Sequence, residues 1–327
     1  MKLIFCNNGS YPRIGDAPEH QVLRKSVAQW ERKEKADEDL REAERILTRA
    51  AIKEQTEAGL DIITDGQIRW YDPISHLAGQ LEGVEINGLL RFFDTNFYFR
   101  QPVIKGTIRW RSPLTVEEFK FAQREAFKPV KPVLTGPYTL ARLSIVKNPD
   151  YRPLRRLVEA MTAVLVGEVR ALADAGAELI HVDEPSMLKH PEDLPLVSRA
   201  LGELAASKGR ARLALCTYFG DATPLWDQLQ NLAVDVLAID LTYAGKLVDR
   251  IAKDGSSKSL AFGLVDGRNT RLEREEEIVA PLERMLPKLR ADVAYLHPSC
   301  GLEYLPRDRA FLKLQNMVRS AARFRSE

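Results

Sequence analysis

The chain has 327 residues, 45% of them hydrophobic, which is ample for a full core. Its 48 Lys and Arg against 46 Asp and Glu are dispersed, for a net charge of +2, which leaves no case for nucleic acid or a charged membrane surface as a partner. Three distant cysteines (Cys6, Cys216 and Cys300) suit free thiols in a reducing compartment. The apolar start Met1–Cys6 is too short for a leader, and no apolar run approaches bilayer length, so a soluble cytoplasmic protein is expected.

In chain order, short apolar runs read as strands at Leu3–Cys6, Asp61–Thr64, Pro132–Thr135, Leu179–Val182, Leu213–Cys216, Val236–Ile239, Leu260–Leu264 and Val293–Leu296. Between most of them the apolar spacing predicts helices: Asp37–Gly59, Leu154–Gly176, Leu194–Ala206, Leu225–Leu232, Leu247–Lys253, Glu277–Leu289 and Ala310–Phe324. Strand and helix in alternation imply a parallel sheet, and eight strands imply a closed α/β barrel. An open doubly wound sheet is the alternative, but the first strand is not followed by the Gly-x-Gly-x-x-Gly turn of its dinucleotide-binding version. One elaborated domain over residues 1–327 is the economical reading. The stretch from about 79 to 127, rich in Phe and alternating residues, reads as an inserted hairpin followed by a helix. Placed after the second strand, it is either a lid or substrate wall, or a decorative insertion or oligomer contact.

In a parallel barrel the residues after each strand share one rim, the catalytic one. After the first strand, Gly9 and Ser10 could offer N–H groups to a carboxylate, with Arg13 as a fork for the same anion; an ordinary turn is the bland alternative. After the second, Asp65 or Gln67 faces the pocket, with Arg69 and Trp70 beside them. Thr135-Gly136-Pro137 opens a helix, as Pro inside a helix start favours. Asp183-Glu184 follows the fourth strand; two adjacent carboxylates there are candidates to hold an ammonium group or to act as acid and base. His181 reads as a core histidine. Cys216, Asp240 and Cys300 end three further strands and could form an open zinc site, although no Cys-x-x-Cys pair supports it.

These strand-end motifs resemble those of cobalamin-independent methionine synthase, in order along nearly the whole chain. Gly9-Ser10-Tyr11-Pro12-Arg13, Glu57 to Asp61 with Asp65-Gly66-Gln67, Thr135-Gly136-Pro137, Val182-Asp183-Glu184-Pro185 and Cys300-Gly301-Leu302 carry the resemblance. It implies a (β/α)8 TIM barrel of the short, single-barrel kind, and methyl transfer from a folate or corrinoid donor to homocysteine or a similar thiol. It further implies that Gly9 and Ser10 hold the substrate carboxylate, that Asp183 holds its amino group, and that Cys300 ligates zinc. The family's other zinc ligands fall where this chain has Leu215, Thr217 and Asp240, and its second-strand Glu is Gln67 here. Thr217-Tyr218-Phe219-Gly220 and Val265 to Asn269 look like the family's non-zinc barrel. Three readings follow: an active methyltransferase with Cys216, Asp240 or His297 beside Cys300 on the zinc; a non-catalytic barrel that binds an amino acid or pterin ligand or pairs with a separate zinc-bearing barrel; and a lyase of the uroporphyrinogen-decarboxylase kind, holding a polyacidic substrate through Arg13 and Arg69.

Overall fold

The structure is a computed structural model that describes residues 1–325. The chain opens with β1 (Lys2–Phe5), then helices α1 (Val22–Glu31), α2 (Asp37–Glu57) and α3 (Ser75–Ala78). A long hairpin follows, β2 (Glu82–Arg91) and β3 (Tyr98–Arg109), and then α4 (Val116–Glu125), β4 (Val133–Thr135), α5 (Pro137–Arg142) and β5 (Ile145–Val146). From there strand and helix alternate: α6 (Leu154–Asp174), β6 (Leu179–Asp183), α7 (Leu194–Ser207), β7 (Arg212–Thr217), α8 (Trp226–Leu229), β8 (Val236–Asp240), α9 (Gly245–Asp254), β9 (Ser259–Val265), α10 (Glu275–Met285), β10 (Val293–Pro298) and α11 (Arg307–Ser320). No helix among the described residues is long and apolar enough to cross a membrane.

Seven strands form one parallel sheet in the order β1-β10-β9-β8-β7-β6-β4. Strands such as β6 and β8 are buried along their whole length, as a sheet covered on both faces requires. The helices pack outside it. In α6, Leu157, Val158, Met161, Leu165, Val169 and Leu172 recur at helical spacing and are buried.

The predicted second strand is not a strand. Residues 61–64 make only single parallel bridges, Cys6 with Ile62 on one side and Ile63 with Val130 on the other, which join the two edges of the sheet. Side chains take much of the hydrogen bonding that a ladder would use. Asp61 accepts from Phe5 N, and Gln55 both accepts from Thr64 N (3.0 Å) and donates to Thr64 O (2.9 Å). Other limits shift for local reasons. The expected helix over 225–232 shrinks to α8 behind a 3-10 turn at Thr223–Leu225, where Pro224 removes a donor. The helix α10 ends at Met285 because Pro287 follows. The last helix begins at Arg307, three residues before the predicted start, and ends at Ser320.

The hairpin β2–β3 pairs antiparallel, and β5 adds to β3 as a third, parallel strand. Its turn lies on the barrel's strand-end face. Phe92 meets Phe93, Phe97, Phe99 and Phe219 edge-on, and Phe97 and Phe219 both meet Tyr304. Phe219 belongs to the loop after β7 and Tyr304 to the loop after β10, so this aromatic layer covers the strand ends. Phe93 (φ 50) and Phe219 (φ 63), whose rings are 5.7 Å apart, hold left-handed backbone that bulky residues rarely adopt.

Candidate active site

The polar centre is built on β6. Side chains two apart on a strand share a face, so β6 delivers His181 and Asp183 to one side. The Lys131 ammonium, fully enclosed just before β4, donates to Asn7 O (2.9 Å) and Asn8 O (2.8 Å) and lies 2.9 Å from His181 Nδ1. His181 Nε2 is 2.9 Å from Asp183 Oδ1, and Tyr218 Oη donates to Asp183 Oδ2 at 3.4 Å. Cys216, in register with Asp183 across β6 and β7, accepts from Asn8 Nδ2 at 3.4 Å. On β10, His297 Nδ1 is 3.2 Å from the same Asn8 amide, while its Nε2 is buried without a partner. Burial, Lys131 and His181 push His297 down to about 3, so it is a neutral ring at physiological pH. Burial and Lys131 likewise lower His181. Burial, with Asp183 nearby, raises the Cys216 thiol and the Tyr218 phenol.

The other residues singled out from the sequence fall into two groups. Gly9 and Gln67 adjoin: a Cβ on Gly9 would sit 3.4 Å from Gln67 Oε1. Gln67 is held at a positive φ of 51°. Ser10 lies against Gly301 and Glu303, since a Cβ on Gly301 would overlap the Ser10 hydroxyl and the Glu303 carboxylate. Gly9, Ser10 and Gln67, in the loops, thus lie at the same strand-end face as Asp183 and Cys216 at the ends of β6 and β7. Arg13 has another partner. Its guanidinium stacks over the Tyr71 ring beside Arg100, with centroid distances of 5.3 and 4.2 Å, and its buried Nε has no hydrogen bond. Arg69 pairs with Glu44 (3.0 Å) and Glu118 (3.7 Å).

Glu184 faces away from Asp183, as strand alternation requires. It is wholly buried, and its oxygens accept from Tyr138 N (2.9 Å), Thr139 N (2.8 Å) and Thr139 Oγ1 (2.6 Å) at the start of α5. Gly136 is required there because a Cβ would overlap the Glu184 carboxylate. The predicted acid or base is therefore engaged as a helix anchor. Thr135-Gly136-Pro137 and Asp183-Glu184-Pro185 meet as two halves of one structural joint.

The candidate zinc set is not assembled. Among the described residues, the group of three ligand-type side chains close enough to share an ion is His181, Asp183 and Cys216, whose atoms lie within 4.8 Å of one another. Cys300 and Asp240 are outside it. The Cys300 thiol is buried, 3.4 Å from Gly301 O and 3.9 Å from Ser299 Oγ, while Asp240 Oδ1 accepts from Thr242 N (3.0 Å) and Oγ1 (2.6 Å). Leu215 and Thr217 supply no sulfur or imidazole beside Cys300. The donors do not fit a zinc centred on Cys300, and the His181 group already carries a buried lysine on its imidazole.

Lys131 and Glu303 were not singled out from the sequence, whereas His297, weighed there as a zinc ligand beside Cys300, faces the Asn8 amide instead. Glu303 has a buried Oε2 without a partner, and burial pushes its carboxyl up to about 7. Its signal was its place three residues after Cys300. For Lys131 the available signal was a lone lysine directly before an apolar strand.

Fold and site together define an α/β barrel protein with a buried polar cluster at its strand ends. The chain belongs to the family described as the catalytic domain of cobalamin-independent synthase, whose profile matches residues 8–323. It is 31% identical over 317 residues to a methionine synthase of Saccharolobus solfataricus, covering 96% of this chain and 94% of that protein. It is 30% identical over 316 residues to a methionine synthase of Pyrococcus abyssi, covering 96% and 92%. The fold is similar to that of a B12-independent methionine synthase from Shewanella sp. W3-18-1, solved in complex with selenomethionine, with TM-score 0.81 at 19% identity, covering 98% of this chain and 97% of that one.

Proposed function

We propose that this methyltransferase of the cobalamin-independent methionine synthase type moves a methyl group from a folate or corrinoid donor to homocysteine or a similar thiol. The observation that carries the assignment of an amino-acid acceptor is Asp183, a carboxylate at a strand end, held by an imidazole on one oxygen and a phenol on the other. A carboxylate fixed in this way binds an ammonium without reorganising. Across the mouth, Gly9 and Ser10 offer backbone N–H groups to the acid end of the same ligand. In the reaction the acceptor's S–C bond forms as the donor's bond to the methyl carbon breaks, and the thiol proton is released. The aromatic layer of Phe92, Phe97, Phe219 and Tyr304 keeps water from the transferring methyl group.

The test is calorimetric titration of L-methionine, the product of such a transfer, into wild type and Asp183→Asn. Loss of the charge is expected to weaken binding roughly tenfold or more, by the size of a charge-assisted hydrogen bond. 4-(Methylthio)butanoate, the same molecule without its amine, is expected to bind both proteins alike. Equal affinity of wild type and Asp183→Asn for L-methionine sinks the assignment.

A further inference from the structure

We infer that Lys131 and His181 are positioning residues for Asp183: the lysine fixes the histidine ring as its Nε2–H tautomer, and the ring then donates a hydrogen bond to Asp183 Oδ1, leaving Oδ2, beside the Tyr218 hydroxyl, to accept from the ligand's amine. The inference rests on the reading of Asp183 as the amine-binding group.

The argument is one of donors and acceptors. A lysine ammonium has three protons and accepts nothing. Lys131 has three neighbours at bonding distance: two are carbonyl oxygens, which only accept, and the third is His181 Nδ1. Nδ1 therefore accepts from the ammonium, and the Asp183 carboxylate, which only accepts, draws the ring's single proton to Nε2. Lys131 and His181 are each 2% exposed, so water does not supply alternative partners. A buried ammonium and a buried carboxylate are thereby linked through a neutral ring, and the carboxylate keeps its charge in an enclosed setting. The same accounting bears on the His181, Asp183 and Cys216 group. A nitrogen that carries a proton toward Asp183 has no lone pair for a cation, and Lys131 already places a positive charge on the far side of the ring.

Two substitutions separate positioning from packing. His181→Gln places an amide whose oxygen can accept from Lys131 and whose nitrogen can donate to Asp183, reproducing the bridge. His181→Leu fills the space without it. With the full chain and calorimetry, His181→Leu is expected to bind L-methionine roughly tenfold to a hundredfold more weakly, the size of a lost hydrogen bond to a charged group. It is expected to bind 4-(methylthio)butanoate as wild type does, and His181→Gln is expected to keep methionine affinity within about threefold of wild type. In 15N-histidine spectra, the signal lost in His181→Gln is expected to be that of a neutral ring with its proton on Nε2, which reports Lys131's part.

The inference is overturned if His181→Leu binds methionine as wild type does, if it weakens both ligands equally, or if His181→Gln is as impaired as His181→Leu. An Nδ1–H tautomer, or a bound metal ion that disappears with His181, also overturns it. If Asp183→Asn itself leaves methionine binding intact, the underlying reading of the site has failed. If only the His181 variants are silent, that reading stands and the positioning role falls.

Discussion

Replacing Glu184 by Ala distinguishes an anchor from a catalyst. The wild-type carboxylate closes three bonds at the start of α5, two to backbone N–H groups and one to the Thr139 hydroxyl, with no exposed surface. Removing it leaves three buried donors without acceptors, each costing about 1–3 kcal/mol before relaxation. Water entering the vacated space recovers part of this, so about 3–5 kcal/mol is expected, a large loss for one residue. Glu184→Gln keeps the volume but points an amide N–H₂ at groups that are themselves donors, and about half that loss is expected. The assay is urea denaturation of both variants with wild type alongside, paired with L-methionine titration of the folded protein. A stability loss below about 1 kcal/mol together with abolished ligand binding would refute the anchoring argument and return Glu184 to the chemistry.

Glu303 supplies a pH signature. Its pKa is higher folded than unfolded, so the fold favours the protonated form; this contribution is complete below the unfolded value of about 4.5 and is lost as pH climbs through about 7. Glu303→Gln removes the dependence, so the variant gains on wild type between about pH 5 and 8, by at most about 3 kcal/mol in chemical denaturation. A wild-type-to-variant difference that does not move with pH contradicts this. Phe92, 1% exposed and ringed by aromatics, anchors the hairpin turn over the mouth; Phe92→Ala is expected to cost about 3–4 kcal/mol locally and to speed hydrogen exchange at residues 92–97 while β6 and β7 stay protected. Unchanged exchange there means the turn is held by something else. Because the donors around Cys300 do not converge, protein incubated with zinc and desalted is expected to retain well below one ion per chain, and Cys300→Ala to change nothing; about one zinc per chain, lost in that variant, reverses the conclusion.

Seven of the eight barrel segments were legible because each is a short apolar run closed by polar residues, which is how a buried parallel strand must read. Residues 61–64 have the same look, yet Gln55 and Asp61 intercept the backbone groups that would have formed the ladder, and such long-range capture leaves no local trace. The helix α1 escaped for a different reason: only Leu23 and Ser26 of it are buried, too little for a periodic apolar face. At the site, the position of Asp183 at the end of a buried strand was legible. Its neighbour could not be told apart by type, because what separates them is the alternation that turns Glu184 toward α5. Lys131 and His181 meet only when β4 and β6 pair, with Val133 beside His181. Neither residue announces the other across fifty positions.

The charges at the mouth also narrow the ligand. A polyacidic substrate would need several free arginines there, but Arg69 is paired with Glu44 and Glu118, which leaves Arg13, stacked on Tyr71. At the enclosed centre His181 bridges the Lys131 ammonium and the Asp183 carboxylate, with the neutral imidazole of His297 and the buried Glu303 carboxyl beside them, so Lys131 already balances Asp183. On the proposed reading, what remains for a ligand is Asp183 Oδ2, beside the Tyr218 hydroxyl, on one side and the N–H groups of the Gly9–Ser10 loop on the other. A zwitterion satisfies both without leaving a net charge in a low-dielectric space, whereas a plain anion leaves the Asp183 oxygen unused and a plain cation leaves the loop donors unused. An α-amino acid is the small ligand with that charge pattern, and its side chain then carries the sulfur toward the aromatic cover, where the hairpin turn can shut it from water.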